Sequence, residues 1–374
     1  MPIGAGVETL RLLPNVPYVI SPTGFASGTT ENVSDLQPIP APSPGSTTRY
    51  QLPNADVIGK LHVTLSGTLT VSSAGTGQTQ PVPGAEWPYG LLSLFTLTAN
   101  GISHDLWTCG GADLHAKNFV TQLGQTANTD VFPGSVGGGG SAIAAGSYPV
   151  YLSFDIDVAT DPTWLVAALF AQSDQALIGG QLGIADIGVP VIAPGGTASL
   201  WSFAGEFLIR ETAYEIPINS KGELILPDVT RLHMFVSETV PWTNVGEVRT
   251  PLLRTSGQLM RIFQSGYYGP NTPLSALPGT PTDALIDEFA LAYGVRAVPY
   301  QWDPASGLAS QNAKAYRGPV PYNRLVMDQM LYNPSRDMVL LQGVTNLRTQ
   351  SYVDSAVTPT VGSATMTAVE EILV

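Results

Sequence analysis

Cysteine is almost absent from this chain: Cys109 stands alone among 374 residues, so no intrachain disulfide can form and stability must come from packing or assembly. Charge is scarce too. Asp, Glu, Lys and Arg make up 12% of the residues, against about 25% in an average globular domain. The 16 Lys and Arg are outnumbered by 29 Asp and Glu, for a formal charge of -13. So thin a basic complement speaks against a surface that neutralises phosphates, and no direct contact with nucleic acid is expected. No run of about 20 apolar residues, the length that crosses a bilayer, occurs. The start, MPIGAGVETLRLLPN, lacks a basic region followed by an apolar core and a small-residue cleavage site, so the chain reads as soluble and unexported. The short signatures that carry chemistry are missing as well: there is no GxSxG elbow, no phosphate-binding GxxxxGK loop, no HExxH and no pair of CxxC. No catalytic, cofactor-binding or metal site is expected.

What is abundant is turn-forming sequence. With 39 Gly and 31 Pro beside 44% hydrophobic residues, the composition favours many short strands over long helices, and the expected fold class is all-β. The stretch Ala144 to Asp186 shows the pattern. Tyr148, Val150, Leu152, Phe154 and Ile156 share one face at period two, and Tyr151, Ser153, Asp155 and Asp157 share the other, which predicts a strand buried on one side. Thr160-Asp161-Pro162 then offers a cap and a first-turn proline, and Trp164, Leu165, Ala168 and Leu169 recur at helical spacing, predicting a short helix over Pro162 to Ala171. Ala176 to Ile184 returns to extended sequence.

Residues 1–50 read as an extended N-terminal arm, neither periodic nor charged, that must lie along its own body or a neighbouring subunit. Strands are predicted at Val57 to Val71, Leu91 to Thr98, Ser199 to Ile216, Gly257 to Tyr268, Tyr322 to Leu331, Met338 to Leu347 and Ala364 to Val374. Helices are predicted over Gly110 to Gln122, with Ala112, His115, Ala116, Phe119 and Val120 inward, and over Pro281 to Tyr293, with Leu285, Ile286, Phe289 and Ala290 inward. Lys60 to Ser66 (KLHVTLS) parallels Arg231 to Ser237 (RLHMFVS) at an offset near half the chain. Two similar halves are suggested, 51–217 and 218–374, with His62 and His233 in equivalent strands. The long connections Ser72 to Gly90, Ala127 to Gly146 and Gly266 to Gly279 are expected to project or to lie over neighbours and not to line a pocket.

The polar residues that could carry chemistry have ordinary readings. Asp155, Asp157 and Asp161 form the densest carboxylate group and are the one place where a cation could bind, though the spacing is not that of an EF-hand. Glu206, Glu211 and Glu215 read as the wet face of a strand and not as a glycosidase pair. The histidines His62, His104, His115 and His233 are dispersed. Trp87, Trp107, Trp164, Trp201, Trp242 and Trp302 are read as core or interface anchors.

The strand, helix and strand over Ser147 to Ala185, the crossing at Gly222 to Asp228 and the paired strands from Val320 to Val374 resemble the double jelly-roll major capsid proteins of tectivirus-like, internal-membrane icosahedral bacteriophages. The resemblance covers most of the chain from about residue 50 and is carried by element order. The N-terminal arm departs from that family's more helical, Gln-rich start. The resemblance implies two eight-stranded jelly-roll barrels side by side with short helices on the connections. It implies a homotrimeric, pseudo-hexagonal capsomer in a virion shell assembled in the host cytoplasm, and contacts with neighbouring capsomers and with minor or vertex proteins. It also raises a membrane beneath the shell. No cofactor and no enzymatic activity are implied. The rival readings are a phage tail or receptor-binding protein and a glycan-binding β-sandwich enzyme.

Overall fold

A computed structural model describes residues 16–53, 56–84, 86–99, 105–123, 130–133, 142–161, 163–172, 177–186, 200–252, 257–269, 272–273, 286–292, 303–329, 339–341, 344–355, 357–362 and 364–374. Sixteen principal strands fall into two sets of eight. The first set is β1 (Glu31–Asp35), β2 (Thr47–Gln51), β3 (Val57–Val71), β4 (Leu92–Ala99), β5 (Trp107–Cys109), β6 (Gly146–Asp157), β7 (Ile178–Ile184) and β8 (Trp201–Tyr214). The second is β9 (His233–Pro241), β10 (Gly246–Pro251), β11 (Gln258–Gly269), β12 (Ile286–Ala292), β13 (Asp303–Pro304), β14 (Leu325–Asp328), β15 (Arg348–Val353) and β16 (Thr365–Leu373).

The pairing makes the second set a copy of the first. In the first, the sheets run β1-β8-β3-β6 and β2-β7-β4-β5. In the second they run β9-β16-β11-β14 and β10-β15-β12-β13, the same order with eight added to each label. This is the jelly-roll arrangement, two four-stranded antiparallel sheets face to face, each formed from strands distant in sequence. A parallel pairing joins the two. Strand β5 pairs with β9 through Phe235 with Trp107 and Val236 with Thr108, so one sheet of each barrel merges into a ten-stranded sheet spanning the molecule.

Each barrel carries a helix between its fifth and sixth strands: α2 (Gly111–Thr121) in the first and α3 (Ala305–Ala315) in the second. A short α1 (Pro22–Gly28) precedes β1, with the Ser21 hydroxyl accepting the Gly24 N–H at 3.2 Å and Phe25 buried against Val57, Phe170 and Leu226. Inside the expected arm, Tyr18–Ile20 pairs in parallel with Leu224–Leu226, and β1 and β2 pair with β8 and β7. The described part of that segment lies along its own body.

Period-two patterning is visible in the burial. Val150, Leu152, Phe154 and Ile156 of β6 are buried, as are Leu61, Val63, Leu65 and Leu69 of β3 and Phe207 and Ile209 of β8. They form one apolar core that reaches across the junction to Phe235, Phe263 and Val369 of the second barrel. The second barrel keeps two apolar clusters of its own. It also buries a polar layer in which the Thr349 hydroxyl donates to Gln264 at 2.8 Å.

Four expectations need correction. Over the described part of Pro162 to Ala171 there are two short turns and no helix. The Asp161 carboxylate accepts the N–H groups of Thr163 and Trp164 at 2.7 and 2.8 Å as a cap would, but Leu165 and Ala167 take φ of 51° and 66°. Leu169–Phe170 then pairs with β3. Over Pro281 to Tyr293, residues 281–285 and 293 lie outside the described residues, and the remainder is strand β12. A bulge between Ile286 and Glu288 shifts the alternation, so that Ile286 and Phe289, three apart, are both buried, and this imitates helical spacing. Helix α2 stands where expected, but it is buried nearly all round, with Asp113 and Lys117 enclosed. The KLHVTLS and RLHMFVS segments are not a structural repeat: one lies in the third strand of its barrel and the other runs into the first strand of the second, so His62 and His233 are not equivalent.

The long connections divide. Ser72 to Thr79 is exposed, whereas the stretch from Pro81 to Gly90 turns inward and buries Trp87 and Tyr89, with the Trp87 indole donating to the Pro133 carbonyl at 2.7 Å. Gly137 to Gly140 lies outside the described residues. Gly266 to Gly269 belongs to β11, and Thr272–Pro273 pairs back onto it.

Candidate functional site

Helix α2 wedges between the barrels and carries the groups that tie them. Strand β16 alternates, so Ala368 and Ile372 enter the second core while Val369 and Glu371 face the first barrel. The Glu371 carboxylate meets Arg261 of β11 at 2.8 Å, His233 of β9 at 3.0 Å and Lys117 of α2 at 3.8 Å. Arg261 also holds Asp328 of β14 at 3.0 Å, onto which the Tyr316 hydroxyl donates at 2.7 Å. From the first barrel, Asp157 of β6 lies 3.6 Å from Lys117, and its backbone carbonyl lies 2.7 Å from His233 Nδ1. The Trp107 ring lies 5.2 Å from the Lys117 ammonium. Burial alone would raise the Glu371 carboxyl, but Arg261, Lys117 and His233 outweigh it and hold that group well below the usual carboxylate range.

A second buried knot sits at the other end of α2. The Arg324 guanidinium, just before β14, reaches Asp113 of α2 and Glu86 of the β3–β4 connection, each at 2.8 Å. Glu86 also accepts the Tyr267 hydroxyl at 2.7 Å. Burial pushes the Asp113 carboxyl up, with Arg324 pulling against it. Beside this knot His115 stacks on Tyr89 at 3.8 Å between ring centroids, with Tyr322 edge-on to the imidazole. Burial brings His115 down to about 4, and the Tyr89 hydroxyl donates to Asp130.

A cleft of about 790 Å³ opens over the Glu371 knot, walled by Lys60, His62, Lys117, Asp155, Arg261 and Glu371. Asp155 accepts from His62 at 2.8 Å, from Lys60 at 3.2 Å and from Gln122 at 3.1 Å. Burial opposes its ionisation, yet His62 and Lys60 bring it down to about 2. Opposite charges are matched side by side in this cleft. These pairings tie β3, β6 and the end of α2 together.

The structure brings Asp155 and Asp157 together on the cleft wall, each beside Lys60, and leaves Asp161 apart as the cap of its turn. Among the described residues no three His, Cys, Asp or Glu side chains are grouped to hold a metal ion. Glu206 and Glu215 are exposed, but Glu211 is 1% exposed, which corrects the single wet face. A spacing of five along a strand puts Glu206 and Glu211 on opposite faces. Cys109 is buried, and burial pushes its thiol up. Trp87, Trp107, Trp201 and Trp242 are buried and Trp164 is exposed, while His104 and Trp302 lie outside the described residues. Sequence reasoning missed Lys117, Glu371, Arg324 and Asp113. Their one signal was a charge set inside an apolar run, as in Val369-Glu370-Glu371-Ile372 and Arg324-Leu325-Val326-Met327.

No protein-family model matches the sequence, and no curated protein matches it significantly. Solved structures do match. The crystal structure of the STIV MCP aligns with a TM-score of 0.64 and 18% identity, over 92% of this chain and 97% of that one. The atomic structure of Sulfolobus Turreted Icosahedral Virus aligns at 0.60 and 18%, over 92% and 90%. The quasi-atomic model of the PBCV-1 virus capsid aligns at 0.52 and 11%, over 92% and 94%. With its strand order duplicated barrel for barrel, the chain has the double jelly-roll fold that these viral proteins share.

Proposed function

We propose that this chain is the major capsid protein of an icosahedral virus and that it acts as a structural unit, not as an enzyme. The observation that carries the reading is the duplication itself. Two barrels of one topology, fixed side by side by a common sheet and two buried charge knots, form a unit with approximate internal twofold repetition. Three such units closed into a ring would present six similar barrels, which suits hexagonal tiling. The fold shared with proteins of viral particles supports the same reading. On it, the chain divides near residues 217–226, the homotrimer meets neighbouring capsomers and minor or vertex proteins, and a membrane can lie beneath the shell.

Multi-angle light scattering on the purified chain, followed by negative-stain imaging, tests this. The expected result is a trimer at micromolar concentration with a pseudo-hexagonal outline. A monodisperse monomer under the same conditions contradicts the capsomer.

A further inference from the structure

Glu211 is the one acidic residue of β8 that faces inward. Its neighbours on that face, Phe207, Ile209 and Ala213, are all buried. It lies opposite Leu61 of β3 and Ser34 of β1 in the pairing register. Its Oε2 atom is buried without a hydrogen-bond partner. The carboxyl looks into a pocket of about 630 Å³ whose wall includes Asn32 and Ser34 of β1 and Leu52 and Asp56 of the β2–β3 turn. We propose that Glu211 is a proton-operated latch for the edge strand β1: protonated, it lets β1 stay docked on the first barrel, and ionised, it loosens that strand.

Among the described residues around it, none offers a free cation to hold a charge there. From the turn, Asp56 faces the carboxyl. From β1 come the neutral Asn32 and Ser34, while Asp35 forks with Arg210 at 2.7 Å. From β3 comes Leu61, while Lys60 is engaged with Asp155. From β8 itself, Arg210 is spent on Asp35, and Glu215 accepts from Asn32 at 3.2 Å. An ionised carboxylate in such a place is unstable, whereas a protonated one is tolerated. Burial, and then Asp56, push the Glu211 carboxyl up to about 7 from an ordinary 4.5. Burial, and then Glu215, push Asp56 up as well. The sign follows: the folded state keeps a proton that the unfolded chain gives up, so stability falls as pH rises from about 4.5 through about 7 and then levels.

Strand β1 is the element such a change would free. All five of its residues are exposed. It is an outer strand, held by its ladder to β8, by the exposed Asp35–Arg210 pair and by Asn32. Exposed pairs add little, so a charge beneath the ladder decides how firmly the strand sits.

The test uses the full chain, melted across pH 5.5 to 8.5, with amide hydrogen exchange read on the peptide covering Glu31–Asp35 and corrected for intrinsic base catalysis. The expected result for the unaltered protein is a fall in Tm on raising pH, with roughly tenfold or greater loss of protection in β1, since more than one pKa unit separates the two states. Glu211→Gln, the same shape without the charge, should abolish both changes, and the exposed Glu206→Gln should leave them as they were. Asp56→Asn keeps Glu211 and removes the repelling neighbour, so the midpoint should move to lower pH. Retention of the full pH response in Glu211→Gln, or an unmoved midpoint in Asp56→Asn, overturns the latch. Asp56→Asn decides the matter by itself should Glu211→Gln fail to fold.

Discussion

Arg324 has no polar escape: its guanidinium is enclosed and answers two carboxylates from the other barrel. Removing one member of such a buried set leaves uncompensated charge, and Arg324→Met is expected to cost about 3–5 kcal/mol. Denaturant unfolding measures it, and adding Glu86→Gln and Asp113→Asn to that variant should recover much of the loss. A loss below about 1 kcal/mol for Arg324→Met alone would mean that the knot is incidental. None of this geometry was legible beforehand. An amphipathic pattern, helical or extended, assigns a charged residue to the wet face by default, and Lys117, Asp113 and Glu371 break that default because the other barrel covers the face they occupy. Asp155 and Asp157, by contrast, could be placed from parity alone, since their strand has a solvated side and no bulge.

At the scale of elements, alternation was a good guide and helical spacing a poor one. Strands β3, β6, β8, β11 and β16 fall within a residue or two of where their periodicity put them, because each packs one face on a core. The bulge in β12 and the left-handed residues after Asp161 lie beyond such patterning, since both arise from backbone geometry that tertiary pairing imposes. A substitution separates turn from helix by sign. In a helix interior Ala167→Gly would cost up to about 1 kcal/mol. At φ of 66° it should be neutral or stabilising by up to about 1 kcal/mol, because glycine accepts that conformation without strain. Thermal melting reads the difference, and a clear drop in Tm would argue for helix.

For the whole molecule, acid is the natural lever on the junction. Asp155, held at about 2, and Glu371, held well below its usual range, have folded values beneath their unfolded ones. Their contribution is therefore complete above the unfolded carboxylate range and is lost as pH falls through the folded values. Melts from pH 5 down to 2 should show stability declining below about pH 4, with Asp155→Asn flattening part of that decline. An unchanged profile in Asp155→Asn would remove His62 and Lys60 from the account of acid sensitivity.

The pairing of β5 with β9 involves only two residue pairs, far fewer than the β9–β16 and β11–β16 ladders beside it in the same sheet. Seen as a mechanical part, the ten-stranded sheet is a beam with a narrow waist. Tension across the molecule's width would peel those few hydrogen bonds in sequence, while each barrel, held by the longer ladders within its two sheets and the core between them, keeps its shape. The seam is where the protein would yield first, and the charges on either side of α2 act there as rivets. On the proposed capsid reading, a shell of such units would flex at its seams and not within its barrels.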